Sequence, residues 1–440
     1  MKKKIITYSC LAALLAIPLL FLWTSSAGAN GVIPGISGTT FNLVAGSASI
    51  STPDGDSIRI WAYSDGTNPV QYPGPTLIVN QGQTVTVNLT NNLNSHVSIV
   101  FPGQRRVTAS GDVKGLLTWE ASPNGGHASY SFVASQPGTY MYHSGTRPEL
   151  QIEMGLVGAI IVRPTGFNQK LNRTAYGHPD TAYDHEYLFM LSEMDPFIHD
   201  LVDTGLTSNI DNTTRNARFW FINGRNAMDT LSDHNVPWLP NQPYGALART
   251  HPGEKVLIRL IGAGRDMHAF HPHGNHSLLI AKDGRMLSSG PGAGPDLGVS
   301  DFTFTPTPGG TMDMIFQWTG FKLGWDIYGD PTQDGFAHTC SDGNGDDFDD
   351  VTHEYCPDHG KPLPVVLPAL QDVTFGGQYS GSPFLGHFGE LPPGEGGLNL
   401  NGGLFFMWHS HNEKELINFD IFPGGMMSFV IIEPLGVPIR

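Results

Sequence analysis

The stretch TLIVNQGQTVTVNLT, at residues 76–90, alternates apolar and polar residues on both sides of a Gln81-Gly82 turn. Alternation with a period of two predicts a strand pair in which each strand buries one face, and glycine suits the tight turn between the strands. The stretch HPGEKVLIRL, at residues 251–260, repeats this plan around Gly253. The pattern therefore indicates that the chain contains one β-domain twice.

The two copies remain in register beyond these strand pairs. The sequence VFPG begins at Val100, eighteen residues after Gly82, and HPHG begins at His271, eighteen residues after Gly253. The second copy thus carries two histidines, the other being His273, where the first copy carries valine and proline.

The copies also end alike. GTYMYH ends at His143 and precedes the apolar run 155–162, and LFFMWH ends at His409 and precedes the apolar run 425–432. Each pattern predicts a late strand with a histidine at its tip, a loop, and a final buried strand. In the second copy His411 lies two residues after His409, so both side chains leave the same face of the strand.

Composition and length agree with a repeated β-fold. The chain has 440 residues, including 54 glycines and 33 prolines. The combined fraction of glycine and proline is well above the average of roughly 12%. Many short strands joined by turns, found in two copies, predict an all-β protein of two packed sandwiches. We place the first domain at residues 30–165, a polar linker at 166–183 and the second domain at 184–440, with a Gly- and Asp-rich insertion at about 325–402.

The N-terminus has the features of a signal peptide. Three lysines at residues 2–4 precede an apolar run at 11–23, and the tripeptide AGA ending at Ala29 offers a small-residue cleavage site. We therefore expect residues 1–29 to be removed and the protein to be exported, to the periplasm or the extracellular space. An uncleaved anchor is the alternative, although the apolar run is short for a span of roughly 20 residues. No later stretch of the sequence is apolar enough to cross a bilayer.

The charge of the mature chain restricts its partners. Residues 1–29 include three lysines and no acidic residue, so their removal changes the formal net charge from −16 to −19. A strongly acidic surface disfavours nucleic acid and anionic membranes and tolerates cations. We therefore expect a metal ion among the partners and no nucleic acid.

The cysteines predict one disulfide. Cys10 would leave with the signal peptide, and Cys340 and Cys356 would remain. In an oxidising compartment this pair is expected to form a disulfide that contributes about 3 kcal/mol by restricting the unfolded chain. No thiolate would then remain to bind a metal elsewhere.

Several of these segments resemble the cupredoxin domains of the multicopper oxidases, such as the laccases and copper-resistance oxidases. Two-domain laccases and nitrite reductases are nearer in size. MHAFHPHG at residues 267–274 is very similar to the family's third copper motif, WHSH at 408–411 resembles its fourth, and YPGPTL at 72–77 resembles its opening strands. The resemblance implies two cupredoxin-like Greek-key β-sandwiches.

Family members hold a blue copper, which takes electrons from substrate, and a three-copper cluster between domains, which reduces oxygen. In this chain the cluster motifs are incomplete, because Val100, Pro102 and Gly145 stand where the family has histidines. Five of the eight cluster positions remain as candidate metal ligands, namely His143, His271, His273, His409 and His411.

The blue-copper motif is also changed. His268 matches a blue-copper ligand and is a weaker candidate metal ligand, with a hydrogen-bonding role as the alternative. Ser410 replaces the thiolate, Glu415 stands at the position of the second histidine, and Met426 is displaced by an insertion. A blue site depends on a thiolate, and a serine hydroxyl is a poor copper ligand, so we expect no blue copper.

These observations predict an exported copper protein with a reduced, mononuclear, all-histidine site between the domains, which could act as an oxidoreductase on small molecules or metal ions. Copper is favoured by intrinsic affinity, and zinc also suits imidazole ligands. Two alternatives stay open: a copper- or zinc-binding storage or resistance protein without turnover, and a purely structural exported sandwich. By analogy with two-domain relatives, a site shared between domains would favour a homo-oligomer.

An acidic stretch suggests a second cation. DGNGDDFDD begins at Asp342 and resembles a calcium loop, with oxygen donors on Asp342, Asn344 and Asp346. It departs from the EF-hand pattern at Asp347, where glycine is expected, and at His353, where glutamate is expected. A solvated acidic loop held by the disulfide is the alternative.

Overall fold

The protein is described by a computed structural model that covers residues 31–321, 339–358, 404–433 and 437–439. The predicted signal peptide at residues 1–29 lies outside the described residues, as does the predicted insertion apart from residues 339–358. The described chain consists mainly of strands, arranged as two β-sandwiches in sequence, so the predicted fold class is confirmed.

The first sandwich is built from two sheets and a short helix. Its elements are β1 (Ile36–Ser37), β2 (Thr40–Ser51), β3 (Ser57–Ser64), β4 (Gly74–Asn80), β5 (Thr84–Asn91), β6 (Thr108–Gly111), β7 (Val113–Lys114), β8 (Trp119–Glu120), β9 (Gly126–Val133), β10 (Gly138–His143), α1 (Pro148–Gln151) and β11 (Val157–Arg163). One sheet has the strand order β3-β2-β5-β9-β6 and the other has the order β1-β4-β11-β10, while β7 and β8 form a separate ribbon. The core between the sheets contains the rings of Tyr63, Phe101, Tyr130 and Tyr142.

The second sandwich repeats this plan. Its elements are β12 (His185–Met194), α2 (Pro196–Asp203), β13 (Phe219–Ile222), β14 (Ala248–Thr250), β15 (Lys255–Gly262), β16 (Phe270–Pro272), β17 (Ser277–Lys282), β18 (Arg285–Met286), β19 (Val299–Asp301), β20 (Thr311–Gln317), β21 (Leu404–Ser410) and β22 (Met427–Ile432). One sheet has the order β13-β12-β15-β20-β17-β18, with β19 paired to β17, and the other has the order β14-β22-β21-β16.

The strand pair predicted around Gly82 is wrong in one respect. β4 and β5 are strands, but β4 pairs with β1 and β11 in one sheet, and β5 pairs with β2 and β9 in the other. β14 and β15 likewise belong to different sheets. Each turn therefore carries the chain from one sheet to the other as an arch. An alternating pattern does not distinguish an arch from a hairpin, because each strand buries one face in both arrangements.

The strand registers agree with the internal repeat. Val100 forms an antiparallel bridge with His143 in the first domain, and His271 pairs with His409 between β16 and β21 in the second. The residues that the repeat aligns therefore occupy equivalent places in the two sandwiches. Each domain has a histidine at the tip of its late strand, and this strand pairs with the final strand, β11 or β22.

The two sandwiches share an apolar core. Ile58 and Ile60 of β3 belong to the same buried cluster as Phe219 and Phe221 of β13. The ring of Tyr72 lies edge-on to Phe221, with 5.9 Å between the ring centroids. Shared burial of this kind removes apolar area of both domains from water and holds them together.

A buried ionic network also joins the domains. Arg163 of the first domain donates to both carboxylate oxygens of Glu186 in the second, and Glu186 also accepts from Nε of Arg259 at 3.0 Å. The hydroxyl of Thr139 accepts from Nη1 of Arg259 at 3.0 Å and donates to Asp313. Because buried charges are tolerated only when they are paired, this network constrains how the domains meet.

The predicted disulfide is confirmed. Cys340 and Cys356 are bonded, with 5.7 Å between their Cα atoms. The loop they close packs on the second domain, where the backbone N–H of Tyr355 donates to the carbonyl of Thr319 at 2.9 Å. In the part of the chain that is described, no helix has the length and apolar character needed to span a membrane.

Candidate metal centre

Four of the five histidines predicted to bind metal come together in the second domain. Because β16 and β21 pair with His271 opposite His409, the two pairs of side chains at i and i+2 leave the same face of the sheet. Ring centroids lie 4.6 Å apart for His271 and His273, 4.7 Å for His271 and His411, and 5.0 Å for His273 and His409.

Hydrogen bonds orient these rings. Nδ1 of His409 lies 2.7 Å from the carbonyl of Ser410, which can only accept, so Nδ1 carries the proton and Nε2 carries the lone pair. Nδ1 of His271 lies 2.8 Å from Oγ1 of Thr303. Nε2 of His409 lies 2.9 Å from Nε2 of His273. Outer hydrogen bonds that fix a histidine in this way are typical of metal ligands.

Three histidines of this group are held neutral. Burial, together with the neighbouring His409 and His411, lowers the pKa of His271 to about 4. Burial and the adjacent histidines lower the pKa of His273 to about 3, and burial lowers the pKa of His409. Neutral imidazole is the form that binds metal ions, so these rings need not lose a proton near neutral pH.

His143 lies apart from this group within the described contacts. It sits at the tip of β10 in the first domain, with Nδ1 2.9 Å from the carbonyl of Ser144, and its ring has no described contact with the four rings of the second domain. A Cβ built on Gly145 would lie 2.7 Å from Cγ1 of Val100. Val100 therefore occupies the space that a histidine side chain at residue 145 would need.

His268 is buried at a second position, on the other side of β21. Its Nε2 lies 2.7 Å from Oε2 of Glu193, and its Nδ1 lies 2.9 Å from Oε2 of Glu415. The hydroxyl of Ser410 donates to the same oxygen of Glu415. Burial lowers the pKa of His268, but the hydrogen bonds and charges of the two carboxylates outweigh burial and raise this pKa to about 9.

Two residues of these sites are absent from the sequence predictions. Thr303 orients His271 from a loop 32 residues further along the chain, and Glu193 reaches His268 from β12, 75 residues earlier. No copper motif includes either residue. An acidic residue inside the apolar strand HEYLFMLSEM of β12 was the one signal that could have pointed to Glu193, because such a side chain needs a buried partner.

The acidic loop is held by its own hydrogen bonds. Oδ1 of Asp342 accepts from the backbone N–H groups of Gly345 and Asp346, and Oδ1 of Asn344 also accepts from Asp346. Oδ1 of Asp346 accepts from the N–H of Phe348 at 3.0 Å. These turns account for the loop without a cation, and calcium binding stays a prediction.

Comparison with curated proteins identifies relatives in sequence. Residues 51–166 match the model of the multicopper oxidase family. Copper resistance protein A of Escherichia coli is 28% identical over 306 residues, which is 61% of this chain and 46% of that protein. Putative laccase-11 of Oryza sativa subsp. japonica is 26% identical over 257 residues, which is 56% of this chain and 41% of that protein. The chain thus spans about half the length of these relatives.

Comparison with solved structures identifies the fold. A blue copper oxidase from Nitrosomonas europaea superimposes with a TM-score of 0.55 at 19% identity, covering 89% of this chain and 85% of that one. The multicopper oxidase mgLAC gives a TM-score of 0.54 at 18% identity, covering 91% and 87%. The resemblance inferred from the motifs is therefore confirmed, in sequence by the family model and the curated relatives and in fold by the solved structures.

Proposed function

We propose that this chain belongs to the multicopper oxidase family and is an exported protein that binds a single copper ion within the group of His271, His273, His409 and His411. The observation that carries the proposal is that four imidazole rings lie side by side, with centroids of neighbouring rings 4.6–5.0 Å apart and 2.9 Å between Nε2 of His273 and Nε2 of His409. An all-imidazole donor set suits copper, which exceeds the other divalent first-row ions in affinity for such a site.

The proposed site is oriented by neighbouring residues and is open to an external partner at one edge. A bound copper ion supplies a one-electron couple. The protein contributes orientation, since Thr303 and the carbonyl of Ser410 hold His271 and His409. The side chain of His411 is 51% exposed, so solvent or a small substrate can reach this edge of the group. The substrate would be a small molecule or a metal ion.

Electrons would have to enter without a blue copper. Ser410 offers a neutral hydroxyl where the family has a thiolate, and that hydroxyl donates to Glu415. The replacement of the thiolate favours direct reaction of the substrate at the histidine group. It equally favours the second candidate function, copper storage or resistance without turnover. Copper resistance protein A among the relatives is consistent with either function.

Export and assembly belong to the same proposal. The basic, apolar and small-residue segments at residues 1–29 support export, and the disulfide between Cys340 and Cys356 suits an oxidising compartment. His143, on the first domain, could complete the site if the same face of a second copy met the histidine group.

The copper site is tested by changing two ligands together. We expect His271→Ala combined with His273→Ala to remove stoichiometric copper, with a loss of more than about 100-fold in affinity, because even residues that only orient a ligand cost up to that much. Metal content and the EPR spectrum are measured on purified protein after copper loading. The matched control is His276→Ala, since His276 lies in the same segment, is exposed and is not part of the group.

Metal content, spectra and turnover together separate the candidate functions. One copper per chain with a type 2 EPR signal and no blue absorption supports the proposed site. Oxidase turnover that disappears in the double variant supports the oxidoreductase, and copper binding without turnover supports storage. Copper that remains bound in the double variant would place the site elsewhere.

A further inference from the structure

Three residues at the positions that correspond to the blue copper form one buried cluster. His268, Ser410 and Glu415 correspond to a histidine ligand, the thiolate and the second histidine of the family motif. In this structure all three are joined by hydrogen bonds, and Glu193 of β12 completes the cluster. Their relative exposures are between 0% and 3%, so the cluster is closed to water.

The geometry specifies the charge of His268. Both ring nitrogens face carboxylate oxygens, at 2.7 Å for Glu193 and 2.9 Å for Glu415. An ionised carboxylate only accepts hydrogen bonds, so each ring nitrogen must donate, and a histidine that donates from both nitrogens is an imidazolium. Charge-assisted hydrogen bonds of this kind are shorter and stronger than neutral ones.

The two carboxylates are satisfied on their outer sides as well. Oε1 of Glu193 accepts from Arg215 and from the backbone N–H groups of Arg265 and Asp266. Oε1 of Glu415 accepts from the side-chain amide of Asn412 at 2.9 Å. The cluster therefore leaves neither carboxylate with an unsatisfied oxygen.

The cluster continues to the first domain. Arg215 also donates through Nε to Glu153, a buried residue that follows helix α1 of the first domain. Charges thus alternate from Glu153 through Arg215, Glu193 and His268 to Glu415, which holds Ser410 at the end of β21.

We propose that the His268 imidazolium takes the place of the blue copper as a fixed, metal-free cation, and that it anchors the end of strand β21 to the domain interface. His409 lies on the same strand and His411 directly follows its last residue, so the anchor also positions these proposed copper ligands. A metal ion bound to Nδ1 of His268 would have to displace this proton and break the hydrogen bond with Glu415. The anchor is therefore expected in protein that holds no metal.

The proposal is tested on the full chain after removal of metal with a chelator. We expect His268→Gln to lower Tm by about 10 °C, because it leaves two buried carboxylates without their cation. The matched control is His276→Gln, an exposed histidine in the same segment, for which we expect a change of about 1 °C. An unchanged Tm in His268→Gln would overturn the proposal.

A measurement on the unchanged protein keeps the test valid if His268→Gln does not fold. We expect the ¹⁵N NMR spectrum of histidine-labelled protein at pH 8 to show the His268 ring with both nitrogens protonated. A neutral His268 ring, or a bound metal ion that His268→Gln removes, would overturn the proposal. All of these measurements concern metal-free protein or His268 itself, so they are independent of whether copper binds at the other four histidines.

Discussion

At the scale of single residues, Ser410 lies between the His268 cluster and the histidine group proposed to bind copper. Its hydroxyl lies on the face of β21 that meets Glu415 and His268, while the neighbouring rings of His409 and His411 lie on the other face. The changes at the three blue-copper positions compensate one another, because Glu415 adds to Glu193 the second carboxylate that keeps His268 protonated. One substitution alone should therefore not restore a blue copper.

We expect Ser410→Cys alone to give no blue band with copper, because Glu415 still engages Nδ1 of His268. Ser410→Cys combined with Glu415→His offers two imidazoles and a thiolate, the set that a blue site requires, so copper should produce intense blue absorption. Visible absorption and EPR measure the outcome. In the control, Glu415→His is combined with Ser428→Cys instead of Ser410→Cys. Ser428 is a buried serine on the adjacent strand β22. A blue band in the single variant would show that Glu415 is no barrier to copper.

The sequence was informative about this site only where ligands follow strand periodicity. His271 could be paired with His273, and His409 with His411, because alternate residues of a strand share a face. The two pairs were joined by their resemblance to the copper motifs of the family. Glu193 could not, since it meets His268 across 75 residues through the pairing of separate elements.

At the scale of elements, the strands themselves were more predictable than their partners. The alternating stretch at residues 76–90 does contain two strands, β4 and β5, but they lie in different sheets. Periodicity reports which face of a strand is buried, and it carries no information about which strand lies alongside. Pairing depends on contacts that are distant in sequence, such as the parallel pairing of β4 with β11.

The two arches allow a matched comparison of glycines. Gly82 and Gly253 both have positive φ, +86° and +74°, so alanine is strained at either position. A Cβ on Gly82 would meet nothing within 4 Å, whereas a Cβ on Gly253 would lie 1.6 Å from the carbonyl oxygen of Thr352. We expect Gly82→Ala to cost about 1 kcal/mol from backbone strain alone. Gly253→Ala should cost about 1–3 kcal/mol more, because the disulfide-closed loop must move.

Urea unfolding of the two variants measures this difference. Each variant serves as the control for the other, since the backbone conformation is alike and the surroundings differ. Equal losses of stability would show that the disulfide-closed loop does not press on the second arch.

At the scale of the whole molecule, the internal repeat predicted two domains but not how firmly they are joined. The shared core buries apolar residues of both domains, and the network around Glu186 pairs charges that come from both. A sequence pattern marks a residue as apolar or charged without showing which domain will bury it. The contacts that hold the two domains together could therefore be identified only from the structure.

We expect Glu186→Gln to lower the free energy of unfolding by about 3–5 kcal/mol, because it leaves the buried guanidinium groups of Arg163 and Arg259 without their shared carboxylate. Calorimetry measures the loss. The matched control is Glu149→Gln in the exposed ion pair of Arg147 and Glu149, with 3.6 Å between Nε and Oε1, where a change below about 1 kcal/mol is expected. Because the domains also share an apolar core, the variant should still unfold in one transition, at lower temperature. Separate transitions for the two domains would show that the ionic network, rather than the apolar core, makes the sandwiches unfold together.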